Sequence, residues 1–532
     1  VSDRLLCNIV AGFIDECREA DPDVAETLQS SKLLQKLSKA SKTRHENRSG
    51  EAFEAAGLAA PVPIHMKDVG AKFQHPILKV TDFLQAFATH RKRFKAHDPQ
   101  HPVFQIHAKQ LAQVLPLQIH SDEGQTLKKT GVMVISWQSP LGFGTTMQDD
   151  SPEAMCLNFI GNSYSTRFLF TVCTKKSYRK KTAFVLDRIF EVLVDELHSL
   201  FHEGVLLTIG GEEMRFFIAT IGMKGDWPIH ARVGHLTRHF ARKGVYKESA
   251  TSGFCHLCRA GETDYPAFDF SAGAAWRGSY LTSTPWAGEG GPLCKLPQSP
   301  KKEFMHKFDC FHTCHKGIFA ELAGSAIAKV VLTDYKLVGP GDFQTQLDRI
   351  YELLQAFCKE TQTPLHMDGI TRNSLAFPGD YEYPAGMWFK GADTSAVCLF
   401  FEQYLLLHMN DISDDREYFL SMLSAFKSAN AFLRTLYRSG LWLSRERCRQ
   451  AAQAGVDFIR AYREIASIAY SLDRTRFKLT PKLHAFFHIV DHLCVAYESE
   501  RRWTLSPLSE SVQMDEDFVG RISSLTCTVS TR

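Results

Sequence analysis

The stretch from residue 115 to residue 226 constrains this chain most, because its hydrophobic period switches from strand to helix and back. LPLQIHSDEG, KKTGVMVISWQS and TRFLFTVCT are short, rich in β-branched and aromatic residues, and bounded by Gly, Ser or Asp. That pattern predicts three strands. In KTAFVLDRIFEVLVDELHSLFHEG the apolar positions Phe184, Val185, Ile189, Val192, Leu193 and Leu197 recur on a helical period. GVLLTIGG and MRFFIATIGMKGD then read as two further strands. The order predicts one mixed α/β unit.

Around this unit the chain changes character. Residues 1 to about 60 read as helical, in LLCNIVAGFIDE and TLQSSKLLQKLSKASK, with the polar run SKTRHENRSGEA as a linker. HPILKVTDFLQAFATHRKRF reads as another helix. Residues 259–304 form a long irregular excursion rich in Gly, Pro, Ser and Trp, which is uncommon in a compact domain unless it has a purpose. After about residue 340, four long segments carry apolar stripes of the helix-bundle kind. The fold class is therefore α/β plus α.

Composition narrows the class of protein. With 44% hydrophobic and 23% charged residues among 532, the chain affords a sizeable globular core. A net charge of +3 does not by itself argue for nucleic acid. The 14 cysteines are scattered, without the spacing of a secreted disulfide scaffold. No signal peptide opens the chain and no long uncharged apolar run occurs, so a reducing, intracellular, non-membrane setting is expected. The chain opens on Val1 rather than Met, as a fragment would.

Several constellations could carry chemistry. Asp122 closes the first strand-like run and Asp226 the last; a carboxylate there is fixed by the sheet and can hold a metal. Each has a plainer reading, a Ser-Asp-Glu-Gly turn for Asp122 and a helix N-cap before Pro228 for Asp226. Cys255 and Cys258 form a Cys-x-x-Cys knuckle, half of a tetrahedral zinc site. Cys310, His312, Cys314 and His315, with His256, are candidates for the other half. Asp309 and His312 make an Asp-x-x-His. His484, His488 and His492 share one helical face, which reads as a packed helix or, less well, as a zinc hydrolase without its glutamate. Near the end, Glu510, Asp515, Glu516 and Asp517 read as a helix start or as the source of a third carboxylate.

Basic residues interleaved with aromatics cluster in KKSYRKK, RHFARKGVYK and KLPQSPKKEFMHK, a composition that suits phosphate neutralisation and base stacking as well as plain solvated surface. Nucleotide-binding loops of the G-x-x-x-x-G-K-[ST] and G-x-G-x-x-G kinds, and the G-x-S-x-G elbow, do not occur.

Taken in order, Asp122, Asp226, Cys-x-x-Cys, Asp-x-x-His, a helical block and an acidic C-terminal segment resemble the layout of eukaryotic cut-and-paste DNA transposases with an RNase H-like core. The resemblance is to the group that includes the hAT and Kyakuja–Dileera–Zisupton/Plavaka-type elements. It implies an N-terminal mostly helical region (1–110), an RNase H-like core with the Cys-x-x-Cys excursion (111–330), a helical insertion (331–480) and a C-terminal part returning to the core (481–532). It further implies Asp122, Asp226 and Glu516 as a catalytic triad holding Mg²⁺ or Mn²⁺, with Glu510 or Asp515 in reserve. By the same resemblance Asp309 and His312 match the [C/D]-x-x-H motif, and Cys255, Cys258 and His312 are the expected metal ligands of a structural zinc. Lys175, Lys176, Arg179, Lys180, Arg238, Arg242, Lys243 and Lys247 are the residues expected to hold DNA. The expectation is a DNA-cleaving and strand-transferring enzyme of the nucleus, active or domesticated, able to form homo-oligomers. The alternative is a non-catalytic nucleic-acid- or protein-binding protein that keeps a structural zinc.

Overall fold

The computed structural model describes residues 64–528 except for short breaks, of which 85–99, 126–130, 143–151 and 241–252 are the longest. The helices expected over residues 1–60 lie outside the described residues, as do Lys180, Arg242, Lys243 and Lys247. The first described element is a hairpin of β1 (Ile64–Asp68) and β2 (Gln74–Leu78). The helix expected from His75 is thus strand at its start. Thr171 explains the difference: its hydroxyl donates to the Pro76 carbonyl at 2.7 Å and sits 2.8 Å from His75 Nε2, so a tertiary contact overrides local helical spacing.

The elements over residues 114–224 follow the sequence pattern. They are β3 (Val114–Gln125), β4 (Gly131–Gln138), β5 (Phe168–Thr174), α1 (Phe184–His202), β6 (Val205–Ile209) and β7 (Glu212–Lys224). They build one mixed sheet in the order β5-β4-β3-β7-β6. β3, β4 and β5 run as an antiparallel meander, β7 is parallel to β3, and β6 closes the edge antiparallel to β7. A parallel pair needs a long crossover, which α1 supplies. Pro116 fits in central β3 because it lies before Gln118, where pairing with β4 begins.

Alternation along β3 gives the sheet two unlike faces. Leu117 and Ile119, with Met133 and Ile135 of β4, pack on Leu186, Ile189, Phe190 and Leu193 of α1. Gln118, His120, Asp122 and Gly124 point the other way, toward α9 (Gln513–Thr528). There Val134 packs on Phe518, Val519 and Ile522. Gly124 sets how closely α9 can approach, since a Cβ on it would fall 1.7 Å from Ser523 Oγ.

Between β7 and α9 the chain makes α2 (Trp227–Val233), the excursion, and a block of long helices: α3 (Phe319–Val331), α4 (Phe343–Glu360), α5 (Ala392–His408), α6 (Arg416–Tyr437), α7 (Arg445–Ser471) and α8 (Pro481–Glu498). Phe486 of α8 sits edge-on to Phe319, Phe432 and Phe458, tying α3, α6, α7 and α8 around one ring. Burying such a ring stabilises by about 1.5–3 kcal/mol. Despite its Gly- and Ser-rich composition the excursion is no surface loop: Ala267, Phe270, Ala274 and Trp276 belong to the same core as the helical block, as do Cys255 and Cys258 just before it. Strands β8 (Trp442–Ser444) and β9 (Trp503–Leu505) pair antiparallel and carry the chain from that block back toward the sheet.

Candidate metal centres

The β3–β7 register brings two predicted carboxylates side by side. The last parallel pair is His120 with Lys224, and two residues further along each strand lie Asp122 and Asp226. Asp122 is not at a strand end, as expected from the sequence. β3 continues to Gln125 because β4 stays paired with it, placing Asp122 opposite Val134. Asp226, by contrast, leaves the sheet at once. It is an N-cap in fact: Ile229 N donates to its Oδ1 at 2.9 Å and Pro228 follows in the first turn. Its two readings coexist, since the cap occupies one oxygen only. Gly225 makes the turn with φ +154°, and a Cβ there would meet Ser121 O at 2.8 Å. Burial and the charge of Asp122 push the Asp226 carboxyl up to about 6.

Of the four acidic candidates near the C-terminus, three are already matched. Asp515 is fully buried between Lys224 Nζ at 3.0 Å and Arg167 Nε at 3.5 Å. Against the cost of burial, those two cations hold its carboxyl well below the usual carboxylate range. Glu510 lies 3.6 Å from Lys307, and Asp517 accepts from Ser163 at 2.6 Å and Arg521 at 2.7 Å. Glu516 remains. Burial together with the charge of Asp122 pushes its carboxyl up to about 9.

The Asp-x-x-His completes this cluster. Asp309 is a buried anchor, accepting from the backbone N–H groups of Phe311 (2.7 Å), His312 (2.9 Å) and Val512 (3.0 Å). It also holds His312 Nδ1 at 2.6 Å, which turns Nε2 to within 3.6 Å of Glu516 Oε1. Burial opposes charge on His312, but Asp309 and Glu516 prevail and raise it to about 9. His312 sits in a π-helical turn, Phe311–Ile318, that kinks at Gly317 before α3. Extra-wide turns of this kind often mark functional sites. His312 is thus placed beside the carboxylates and not at the Cys-x-x-Cys, which corrects its expected role as a zinc ligand.

The partners of the knuckle come instead from α8. Cys255, Cys258, His484 and His488 are the one group of three or more His, Cys, Asp or Glu ligand atoms lying within 4.8 Å of one another among the described residues. Cys258 Sγ lies 3.3 Å from His484 Nε2, Cys255 Sγ lies 3.4 Å from His488 Nε2, and the two Nε2 atoms are 3.1 Å apart. Zinc–ligand bonds of normal length in a tetrahedron give S···N edges of about 3.6 Å and N···N edges of about 3.3 Å. All four residues are buried. His484 Nδ1 meets the Ala267 carbonyl at 2.9 Å, leaving Nε2 to coordinate, and burial holds the ring neutral. His488 stacks on Phe308. The site could hold a metal such as zinc. The packed-histidine reading of α8 is corrected for His484 and His488.

Other candidates lie elsewhere. His256, inside the knuckle, turns away to the His306 carbonyl at 2.9 Å. Cys310 reaches the Pro507 carbonyl and His315 the Tyr437 hydroxyl, neither near the cluster. Arg238 is buried rather than presented to a polyanion: it donates to Cys255 O, Ser283 Oγ and Ser283 O at 2.9 Å each and so braces the knuckle. Lys175 is paired with Glu123, while Lys176 and Arg179 are exposed on the turn after β5. Lys482, which the sequence did not single out, donates to the Lys316 carbonyl at 2.6 Å; burial lowers its ammonium, against the charges of Glu321, Asp309 and Asp226.

Among the described residues no helix is long and apolar enough to cross a membrane. No protein-family description and no curated protein matches the chain in sequence.

Proposed function

We propose that the protein is a transposase-like enzyme that cleaves and transfers DNA strands from a metal-dependent site made of Asp122, Asp226 and Glu516. The observation that carries this reading is the β3–β7 register, which sets Asp122 and Asp226 side by side, with burial and the Asp122 charge raising both Asp226 and Glu516. Like charges packed this closely are costly, and a divalent cation relieves that cost. Oxygen-only ligands suit Mg²⁺ or Mn²⁺, which when bound supplies Lewis-acid stabilisation to phosphoryl transfer. The protein's own contribution is positioning. Asp309 orients His312 through Nδ1, and His312 keeps a proton at Nε2 facing Glu516. The Cys255–Cys258–His484–His488 centre, filled by zinc, fixes the excursion against α8.

The sheet order supports an RNase H-like core, with three meander strands followed by a fourth parallel to the first. The departure is the edge strand β6, which is antiparallel and precedes β7 in the chain. DNA as substrate and a nuclear setting follow from the resemblance in motif order.

One observation favours the second reading, a binding protein without catalysis: the carboxylates are not drawn as tightly together as the Cys₂His₂ group. The test is Mg²⁺- or Mn²⁺-dependent nicking of supercoiled plasmid by wild type and Asp226→Asn. Asparagine caps a helix as well as aspartate, so α2 is retained while the charge is lost. Nicking by wild type alone supports the enzyme. DNA binding without nicking by either protein replaces it with the binding reading.

A further inference from the structure

A cavity of about 850 Å³ opens beside α1, the helix that covers the sheet face opposite Asp122. That volume lies in the range of small-ligand sites. Its walls are Asp187 and Glu191 of α1, His235 after α2, and parts of the excursion between Leu281 and Glu303. The excursion wall is fixed by the chain's own bonds. Thr237 N and Oγ1 donate to the Pro285 carbonyl at 2.6 and 2.9 Å, and Arg238 donates to Ser283 Oγ and O at 2.9 Å each. Leu281 N donates to the carbonyl of Leu257, inside the knuckle, at 2.8 Å. These ties hold Leu281 at φ +54°, a conformation unfavourable to a bulky side chain. The cavity is therefore preformed.

Most charges on its walls are already matched. Asp187 Oδ1 meets His235 Nε2 at 3.1 Å, and Glu191 lies between Arg188 at 2.7 Å and Lys295 at 3.3 Å. Lys301 donates to the Leu281 carbonyl at 2.8 Å, while Lys302 and Glu289 are exposed, where water screens them. Glu303 is different. It lines the cavity and is only 4% exposed, yet its side chain makes no hydrogen bond or ion pair with any described residue. Nor is its turn, Lys302–Met305, loosely attached. Met305 belongs to the core under α1, and Lys307 N donates to the Met223 carbonyl at 3.0 Å. A carboxylate held out of bulk water without a counter-charge is costly, and a bound cation offsets that cost. Leu281, Trp286, Pro292 and Pro300 supply apolar wall for a stem, and an indole beside the path also favours a cation. We propose that this cavity binds an organic cation, a primary ammonium or guanidinium on an apolar stem, with Glu303 as its counter-charge. The side chains of lysine and arginine in a peptide share that chemistry with free polyamines. The site stands apart from the carboxylates and does not depend on the strand-cleavage reading.

The experiment is calorimetric titration of the full chain with spermidine, with Nα-acetyl-arginine amide, and with the uncharged isostere Nα-acetyl-citrulline amide. Wild type should bind at least one of the two cations at a single saturable site, and the citrulline compound about 10-fold more weakly than the arginine one or not at all. Glu303→Gln should weaken cation binding by about 10-fold or more, whereas Glu289→Gln should leave it at the wild-type value. Tighter binding of the arginine compound assigns the site to a peptide side chain, and tighter binding of spermidine assigns it to a polyamine; either supports the site. Absence of saturable binding by both cations, citrulline binding equal to arginine, or undiminished binding by Glu303→Gln overturns the proposal. If Glu303→Gln melts well below wild type, the comparison of arginine with citrulline, made on the unaltered protein, still decides.

Discussion

Glu516 of α9 lies where the charge of Asp122 on β3 reaches it, and that charge together with burial raises its carboxyl to about 9. Glu516 Oε1 faces His312 Nε2 at 3.6 Å. Helical phase makes this pairing possible. Asp515, one residue earlier, points into the buried Lys224–Arg167 pair, and Glu516 is turned about 100° from it toward the sheet edge.

The three matched acids and the unmatched one should separate cleanly by mutation. Glu516→Gln is expected to lower metal-dependent nicking by about 100-fold or more while leaving the thermal midpoint near wild type. Glu510→Gln should keep activity. Asp515→Asn should instead unfold the protein at lower temperature, because it strands Lys224 and Arg167 without their counter-charge, a loss of about 3–5 kcal/mol. Equal activity loss in Glu510→Gln and Glu516→Gln would contradict the assignment.

Stability of the metal-free protein should fall as pH rises. Glu516 moves up from 4.5 to about 9, Asp226 from 3.8 to about 6, and His312 from 6.5 to about 9. Each folded value is raised, so the folded state binds extra protons and loses stability as pH climbs through these windows. Most of the decline above neutrality belongs to Glu516 and His312. Calorimetry in a chelating buffer should show the midpoint dropping from pH 6.5 to about 9, with a shallower drop in Glu516→Gln. Saturating Mg²⁺ should reverse the trend and release protons on binding. A midpoint that rises over that interval would rule the carboxylate cluster out as described.

Purified protein should contain about one zinc per chain, and Cys258→Ala or His484→Ala should contain none. Elemental analysis checks this directly. The same variants should melt lower, since the centre joins the excursion to α8. His312→Ala should keep its zinc. Zinc loss in His312→Ala would restore the ligand set expected from sequence.

Gly124→Ala should cost about 1–3 kcal/mol, because its Cβ would displace Ser523 Oγ and still press on Ser523 Cβ at 3.0 Å and Val519 Cγ1 at 3.3 Å. Adding Ser523→Gly should recover most of that stability. If Gly124→Trp alone melts like wild type, α9 does not lie on β3 as described.

How much of this was legible beforehand depended on distance along the chain. β3 to β7 and α1 could be read because alternation and helical spacing are local signals. The neighbourhood of Asp122 and Asp226 could not, since it comes from a parallel register between strands about a hundred residues apart, which no local pattern encodes. The zinc site divides the same way. Cys-x-x-Cys and the His484/His488 pair are each visible, but their meeting spans 226 residues from Cys258 to His484. The candidates nearer in sequence, Cys310, His312, Cys314, His315 and His256, are not members of the Cys₂His₂ group. Arg238 misled for a related reason: charge clusters record composition, and only burial reveals that this guanidinium serves the knuckle backbone.

The double duty of Asp226 bears on how decay of such a protein would be recognised. A residue that starts a helix is kept by the need to fold, whether or not any strand is ever cut. Glu516 caps nothing and holds no backbone group, so a copy retired from chemistry could lose it without penalty. Among sister sequences, an intact Asp226 would therefore say little about activity, whereas drift at Glu516 would be the earliest trace of its loss.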